Sequence, residues 1–232
     1  AEFWAGGPEV SYDAEKFLAE MPEMTGVMVG EGEKTFLELM HYYVDGEGSL
    51  AEIPGIVYRD GEEIHNNGWR ELTDLSEIPF VYEQLKDFEN KIIYYESSRG
   101  CPFSCSYCLS SIDKKLRFRD LDLVRRELQF FLDHKVPQVK FVDRTFNCKH
   151  DHAMAIWKYI QEHDNGITNF HFEVAADLLN DEEIRLIRQM RPGLIQLEIG
   201  VQSTNTDTIR EIRRTMRLEE VREHVARIKE KG

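Results

Sequence analysis

Positive charge is in short supply along this chain: 29 lysines and arginines stand against 43 aspartates and glutamates in 232 residues, a formal balance of −14. A broad nucleic-acid footprint needs a basic face, so the balance argues against that class of partner. Long apolar runs are missing too. None approaches the roughly 20 residues that cross a bilayer, and the opening residues lack a charged-then-apolar leader. Cysteine is scarce, at four in the whole chain, which is too few for a disulfide scaffold. Reduced thiols without an export signal predict a cytoplasmic protein with no membrane partner. The 41% hydrophobic and 11% aromatic residues suffice for an ordinary core, in one large domain or one domain plus part of another.

Three of the four cysteines fall within eight residues: Cys101, Cys105 and Cys108 form a C-x3-C-x2-C run. A closed structural zinc or electron-transfer site wants a fourth ligand nearby. Three thiolates instead suit a [4Fe-4S] cluster with one iron left open for a substrate or cofactor. The competing reading is zinc, completed by Cys148, His150 or His152, in a non-catalytic sensor or scaffold.

Around this run the pattern alternates. Strands are expected at Phe3 to Ala5 and Val27 to Val29, a helix from Phe36 that closes at Gly46, and a hairpin at Ile56 to Ile64 turning on Asp60-Gly61. Residues 66–91 read as a polar linker. From Ile92, strands at 92–96, 139–142, 169–174 and 194–199 alternate with helices at 120–134, 149–163 and 181–190. Helical stretches around 205–214 and 218–230 follow, with Gly232 beyond them. Strands separated by single helices imply right-handed βαβ units and a parallel sheet.

Tyr107, the aromatic residue just before the third cysteine, completes a run that resembles the signature of the radical S-adenosylmethionine (SAM) superfamily. The resemblance implies that the open iron chelates SAM and that reductive cleavage starts radical chemistry. It also implies an α/β fold, a partial TIM-like (β/α) barrel of about four of six βα units. The chain is accordingly read as truncated, and inactive or impaired in activity.

Further candidates sit at strand ends, where α/β folds place ligands. Phe141 to Phe146 is similar to the F-x-D-x-x-F segment of cobalamin-associated members, which makes Asp143, Arg144 and Thr145 candidate SAM contacts. Glu173 matches a strand glutamate of the oxygen-independent coproporphyrinogen oxidase branch, with an internal salt bridge as the alternative. In the same branch a Gly-Val-Gln and an arginine twelve residues after the Gln contact SAM; Gln202, Ser203 and Arg214 stand in those places, with Arg213 as rival. Glu198 is expected to be buried and structural, and His134, His163 and His224 to lie on the surface.

Gly6-Gly7-Pro8 and Gly30-Glu31-Gly32-Glu33 resemble the carboxyl half of a Rossmann-like cobalamin-binding domain. The expected division is 1–50 for that piece, 51–91 for hairpin and linker, and 92–232 for the radical SAM core. Cobalamin is not expected to be held firmly. Lys114, Lys115, Arg117, Arg119, Arg125 and Arg126 form a basic patch, either a solvated surface or a rim for an anionic substrate or a flavodoxin- or ferredoxin-like electron donor.

Overall fold

The structure, a computed structural model, describes residues 1–88, 91–112 and 114–230. The chain divides into two units, Ala1–Asp74 and Leu75–Gly232. No helix among the described residues is long and apolar enough to cross a membrane.

The first unit is built on strands β1 (Trp4–Gly6), β2 (Gly26–Met28), β3 (Ile56–Asp60) and β4 (Glu63–Asn66), in that spatial order. Strands β1 and β2 pair in parallel, and β3 and β4 add on in antiparallel fashion. Helices α1 (Pro8–Ser11) and α2 (Ala14–Glu20) connect β1 to β2, and neither was evident as a periodic pattern. Helix α3 (Glu33–Met40) runs into one wider turn, His41–Asp45, which Gly46 ends at φ 72°. The hairpin is therefore part of this sheet, and not a separate connecting segment. Its loop residues are Gly61 and Glu62, because Asp60 already pairs with Glu63. Asn67 fastens the stretch after β4 by donating from Nδ2 to the Leu50 and Ile53 carbonyls at 2.7 and 2.8 Å.

The second unit carries strands β5 (Ile93–Tyr95), β6 (Ser98–Arg99), β7 (Arg117–Phe118), β8 (Gln138–Phe141), β9 (Asn169–Val174) and β10 (Ile195–Ile199). Its helices are α4 (Leu121–Asp133), α5 (His150–Glu162), α6 (Asp181–Gln189), α7 (Thr206–Glu211) and α8 (Leu218–Lys229). The main sheet runs β5-β8-β9-β10, parallel throughout, as the βα alternation predicts. Gly232 lies outside the described residues. Asp120 caps α4 by accepting from the Asp122 and Leu123 amides, and Asn180 with Glu183 forms a capping box on α6.

One face of this sheet presents Ile93, Tyr95, Val139, Phe141, Phe170, Phe172 and Val174 to the helices, all buried. Phe146 and Trp157 pack behind them, with ring centroids 4.3 Å apart between Phe146 and Phe172 and 5.3 Å between Phe146 and Trp157. The expected linker does not end where the core begins. Leu75 is buried, and Phe80 and Tyr82 pack on Phe131 at 5.4 and 5.6 Å. Apolar side chains spaced without a regular period gave that stretch a linker-like texture, yet they close the open side of α4.

Beneath Leu75, Arg119 and Glu127 form an ion pair at 2.5 Å with both side chains less than a tenth exposed. Tyr95 donates its hydroxyl to the same carboxylate at 2.5 Å, and Arg119 also donates to the Leu75 and Ile78 carbonyls. Burial pushes the Tyr95 phenol far above its ordinary pKa.

Candidate active site

A cavity of about 240 Å³ opens at the C-terminal ends of β8, β9 and β10. Cys101, Cys105 and Cys108 line it together, all three as free thiols. The loop that carries them is held at several points. Gly100 takes φ 98°, and a Cβ there would stand 2.7 Å from the Lys115 carbonyl oxygen, so only glycine fits before Cys101. Ser106 donates its amide to the Ile212 carbonyl at 2.9 Å, and Lys114 Nζ donates to Ser104 Oγ at 2.7 Å and to the Phe103 carbonyl.

Arg144, Thr145, Glu173, Gln202, Arg214 and Tyr107 share the same lining, so six predicted SAM contacts meet the three cysteines. Arg214 reaches the loop directly: Nη1 donates to Tyr107 Oη at 3.1 Å and Nη2 to the Gly200 carbonyl. Its Nε is buried and has no hydrogen-bond partner. Arg213 instead adopts φ 52°, a left-handed kink after α7, and does not line the cavity. Gln202 is also left-handed, at φ 58°. That conformation is uncommon for a side-chain-bearing residue, and it folds the amide back over Gly200. A Cβ on Gly200 would lie 3.0 Å from Gln202 Nε2.

Two predicted contacts fall elsewhere. Ser203 does not line the cavity; its Oγ accepts the Asn205 amide at 3.1 Å, at the entry to α7. Asp143 is fully buried, and its carboxylate accepts from Ser97 N (3.0 Å), Ser97 Oγ (2.7 Å) and Ser98 Oγ (2.5 Å). His152 Nε2 lies 3.1 Å from the same Ser97 Oγ. Asp143 thus fixes the segment that leads into the cysteine loop and does not face the cavity. Burial pushes its carboxyl up to about 6 and the His152 imidazole down to about 4. Both phenylalanines of the F-x-D-x-x-F segment are buried core residues, 5.4 Å apart.

Other residues come into view only in three dimensions. Asn147 is buried and pairs with both backbone groups of Ala175, donating to its carbonyl and accepting from its amide, each at 2.9 Å. It joins the turn after β8 to the turn after β9, and no local pattern signals it. Glu198, expected to be buried, has a side chain 52% exposed and lines the cavity beside Glu173. The alternation Ile195, Leu197, Ile199 against Gln196, Glu198 carried that information, since side chains alternate faces along a strand. Lys140 Nζ lies 3.2 Å from Glu198 Oε2 and 4.0 Å from Glu173 Oε1.

Zinc is poorly served here. His150 turns to Glu183 at 2.9 Å and His152 to Ser97, and burial near Cys101 and Asp143 pushes the Cys148 thiol up to about 11. Among the described residues no three His, Cys, Asp or Glu side chains converge closely enough to hold a single metal ion. A cubane spreads its three thiolates over separate corners, wider than the ligands of one ion. Within the basic patch, Arg119 is buried against Glu127 and Arg125 pairs with Asp122 at 2.9 Å, so these two do not stand free at the surface. His134 and His163 are exposed, whereas His224 is half-buried and donates to the Ala176 carbonyl at 2.8 Å.

The fold and site are those of a parallel α/β protein with a three-cysteine loop over the carboxyl edge of its sheet. Residues 95–232 match the Radical SAM superfamily, and the chain belongs to it. It is 28% identical over 198 residues to the uncharacterized methyltransferase PH0819 of Pyrococcus horikoshii, covering 81% of this chain and 42% of that protein. It is 25% identical over 231 residues to the anaerobic magnesium-protoporphyrin IX monomethyl ester cyclase of Synechocystis, covering 90% of this chain and 43% of the cyclase. The chain thus spans less than half the length of these curated relatives. Among solved structures it superposes on TsrM of Kitasatospora setae, a radical SAM methyltransferase with cobalamin and a [4Fe-4S] cluster bound. That match has a TM-score of 0.76 at 17% identity, over 100% of this chain and 48% of TsrM.

Proposed function

We propose that this protein is a radical SAM enzyme whose Cys101, Cys105 and Cys108 hold a [4Fe-4S] cluster, with SAM in the same cavity. The observation that supports this best is the convergence of three free thiols, at the superfamily's spacing, with the unpartnered Arg214 Nε on one lining. Bound together, the cluster and SAM supply reductive cleavage to methionine and a 5′-deoxyadenosyl radical, which begins chemistry on a further substrate. Arg214 offers its guanidinium to the methionine carboxylate. Gln202 hydrogen-bonds the ribose from the strand end, and Glu173 takes the ribose hydroxyls or the ammonium. Arg144, Thr145 and Tyr107 complete the wall, with Tyr107 held by Arg214. A flavodoxin- or ferredoxin-like donor in the cytoplasm delivers the electron, and the reaction acts on a small-molecule or unknown substrate.

The two relatives named above are a methyltransferase and an anaerobic ester cyclase, which supports methyl transfer or anaerobic oxidation as the outcome. Gly7 (φ 96°) follows strand β1 with open space where a Cβ would stand, so bare backbone there can approach a cobalamin tail, whereas at Gly30 (φ 77°), after the parallel strand β2, the Trp69 ring occupies that place. Ala1–Asp74 is accordingly read as part of a cobalamin-binding domain that holds the cofactor weakly on its own. Retention of hydroxocobalamin through gel filtration at micromolar concentration would overturn that point.

The central test is anaerobic reconstitution of the whole protein with iron and sulfide, followed by dithionite and SAM. The expected result is a brown protein that forms 5′-deoxyadenosine, and loss of both colour and product in Cys101→Ala, Cys105→Ala and Cys108→Ala. Stoichiometric zinc with no SAM cleavage would refute the proposal.

A further inference from the structure

The loop that carries the cysteines has an outer face as well as a cavity face. Just past Cys108 the chain makes one tight helical turn, Leu109–Ser111, closed by the Ile112 amide donating to the Leu109 carbonyl at 3.1 Å. In so tight a turn, side chains three apart eclipse one another, so Leu109 and Ile112 share one side. Ser110 lines the cavity and these two do not; Leu109 is 52% and Ile112 53% exposed. Single apolar side chains in water are ordinary, but here a pair stands beside a cysteine ligand and cations follow it. Lys114 and Lys115 are both exposed, and Lys114 Nζ is held by neutral oxygens, those of the Phe103 carbonyl and the Ser104 hydroxyl. From Cys101 to Phe118 the sequence has three cations, Lys114, Lys115 and Arg117, against one anion, Asp113, which lies outside the described residues. The chain as a whole has the opposite sign, at −14.

We propose that Leu109 and Ile112, with Lys114 and Lys115 beside them, form the docking surface for a small acidic one-electron carrier protein. The inference rests on the cluster reading above and names where the electron enters. An apolar centre with a charged rim suits a brief encounter, because the rim steers and the centre holds. Two aliphatic side chains fall far short of the roughly 800 Å² per partner of a stable dimer, and fit the small interfaces of electron-transfer pairs. A carrier seated there is one residue from Cys108 and leaves the cavity to SAM. One electron passes from carrier to cluster, oxidising the first and reducing the second, and no bond between them is made or broken.

The test mixes the whole, cluster-loaded protein anaerobically with flavodoxin hydroquinone, and separately with dithionite, and follows bleaching of the cluster absorbance by stopped flow. The double change Leu109→Asn with Ile112→Asn should slow reduction by flavodoxin roughly tenfold, since it withdraws the apolar centre. Reduction by dithionite, which needs no docking surface, should keep its rate and report that the loop is intact. In the wild type the flavodoxin rate should fall severalfold between about 50 and 500 mM salt, as screening weakens a local attraction. The overall charge alone predicts the reverse, a rate that rises with salt. An unchanged flavodoxin rate in the variant, equal slowing with both reductants, or a wild-type rate that rises with salt overturns the inference. So does a wild-type dimer that the variant dissociates, which would give the surface to a second copy. A wild type that takes up no iron overturns the cluster reading itself, a separate result.

Discussion

Asp143 and His152 meet at one serine hydroxyl with opposite titration behaviour, and this makes a quantitative prediction. The folded value for Asp143, about 6, lies above its ordinary 3.8, so its contribution to stability is fully present below about pH 4 and is lost as pH rises toward 6. The folded value for His152, about 4, lies below its ordinary 6.5, so its contribution is present above pH 6.5 and is lost as pH falls toward 4. At about 1.4 kcal/mol for each tenfold change, each effect amounts to about 3 kcal/mol, and in the wild type they nearly cancel. Asp143→Asn removes the first titration and keeps the shape; His152→Gln removes the second and keeps a donor for Ser97. Urea unfolding of the cluster-free proteins between pH 3.5 and 7 is the assay, read as each variant minus wild type, so that surface carboxylates drop out. The Asp143→Asn difference should rise by about 3 kcal/mol as pH increases, and the His152→Gln difference should fall by about as much. Flat difference curves, or two curves of the same slope, would refute the buried network as the source.

Glu127→Ala strands the buried Arg119 guanidinium and should destabilise the protein by about 3–5 kcal/mol in urea unfolding, while the double change Arg119→Met with Glu127→Leu should recover most of it. Cys148, pushed up to about 11 from 9.0, should react with iodoacetamide at pH 8 about a hundredfold more slowly than a free thiol of ordinary pKa, followed by peptide mass spectrometry. Gly100→Ala must displace the Lys115 carbonyl or the backbone at φ 98°, so it should lower stability by at least about 1 kcal/mol and reduce iron uptake on reconstitution.

The second unit's topology was legible because its apolar runs are short, β-rich and separated by single amphipathic helices, a pattern that leaves few arrangements. The cysteine loop was legible because its chemistry is local: three thiolates at fixed spacing mean something before any folding. What stayed hidden depends on which way a side chain points. Asp143 stands at a strand end like any ligand contact, but the two serines across the sheet draw it inward. Ser203 follows Gln202 in sequence and leaves the site because the chain kinks left-handed between them. Asn147 matters through its bond to Ala175, a partner 28 residues away that no window of sequence contains. The stretch from Leu75 to Phe88 lacked periodicity, and its aromatic side chains found the core one at a time.

Parallel sheets ordinarily have both faces covered by hydrophobic packing, and here one face bears Lys140, His171, Glu173 and Glu198. Greasy neighbours have little to gain by collapsing onto such a surface, since each charge would be stripped of hydration. Water can fill the space at small cost when no ligand is there. The pocket is therefore propped open by its own polarity, and a newly arriving guest displaces solvent without having to prise apart a closed interior.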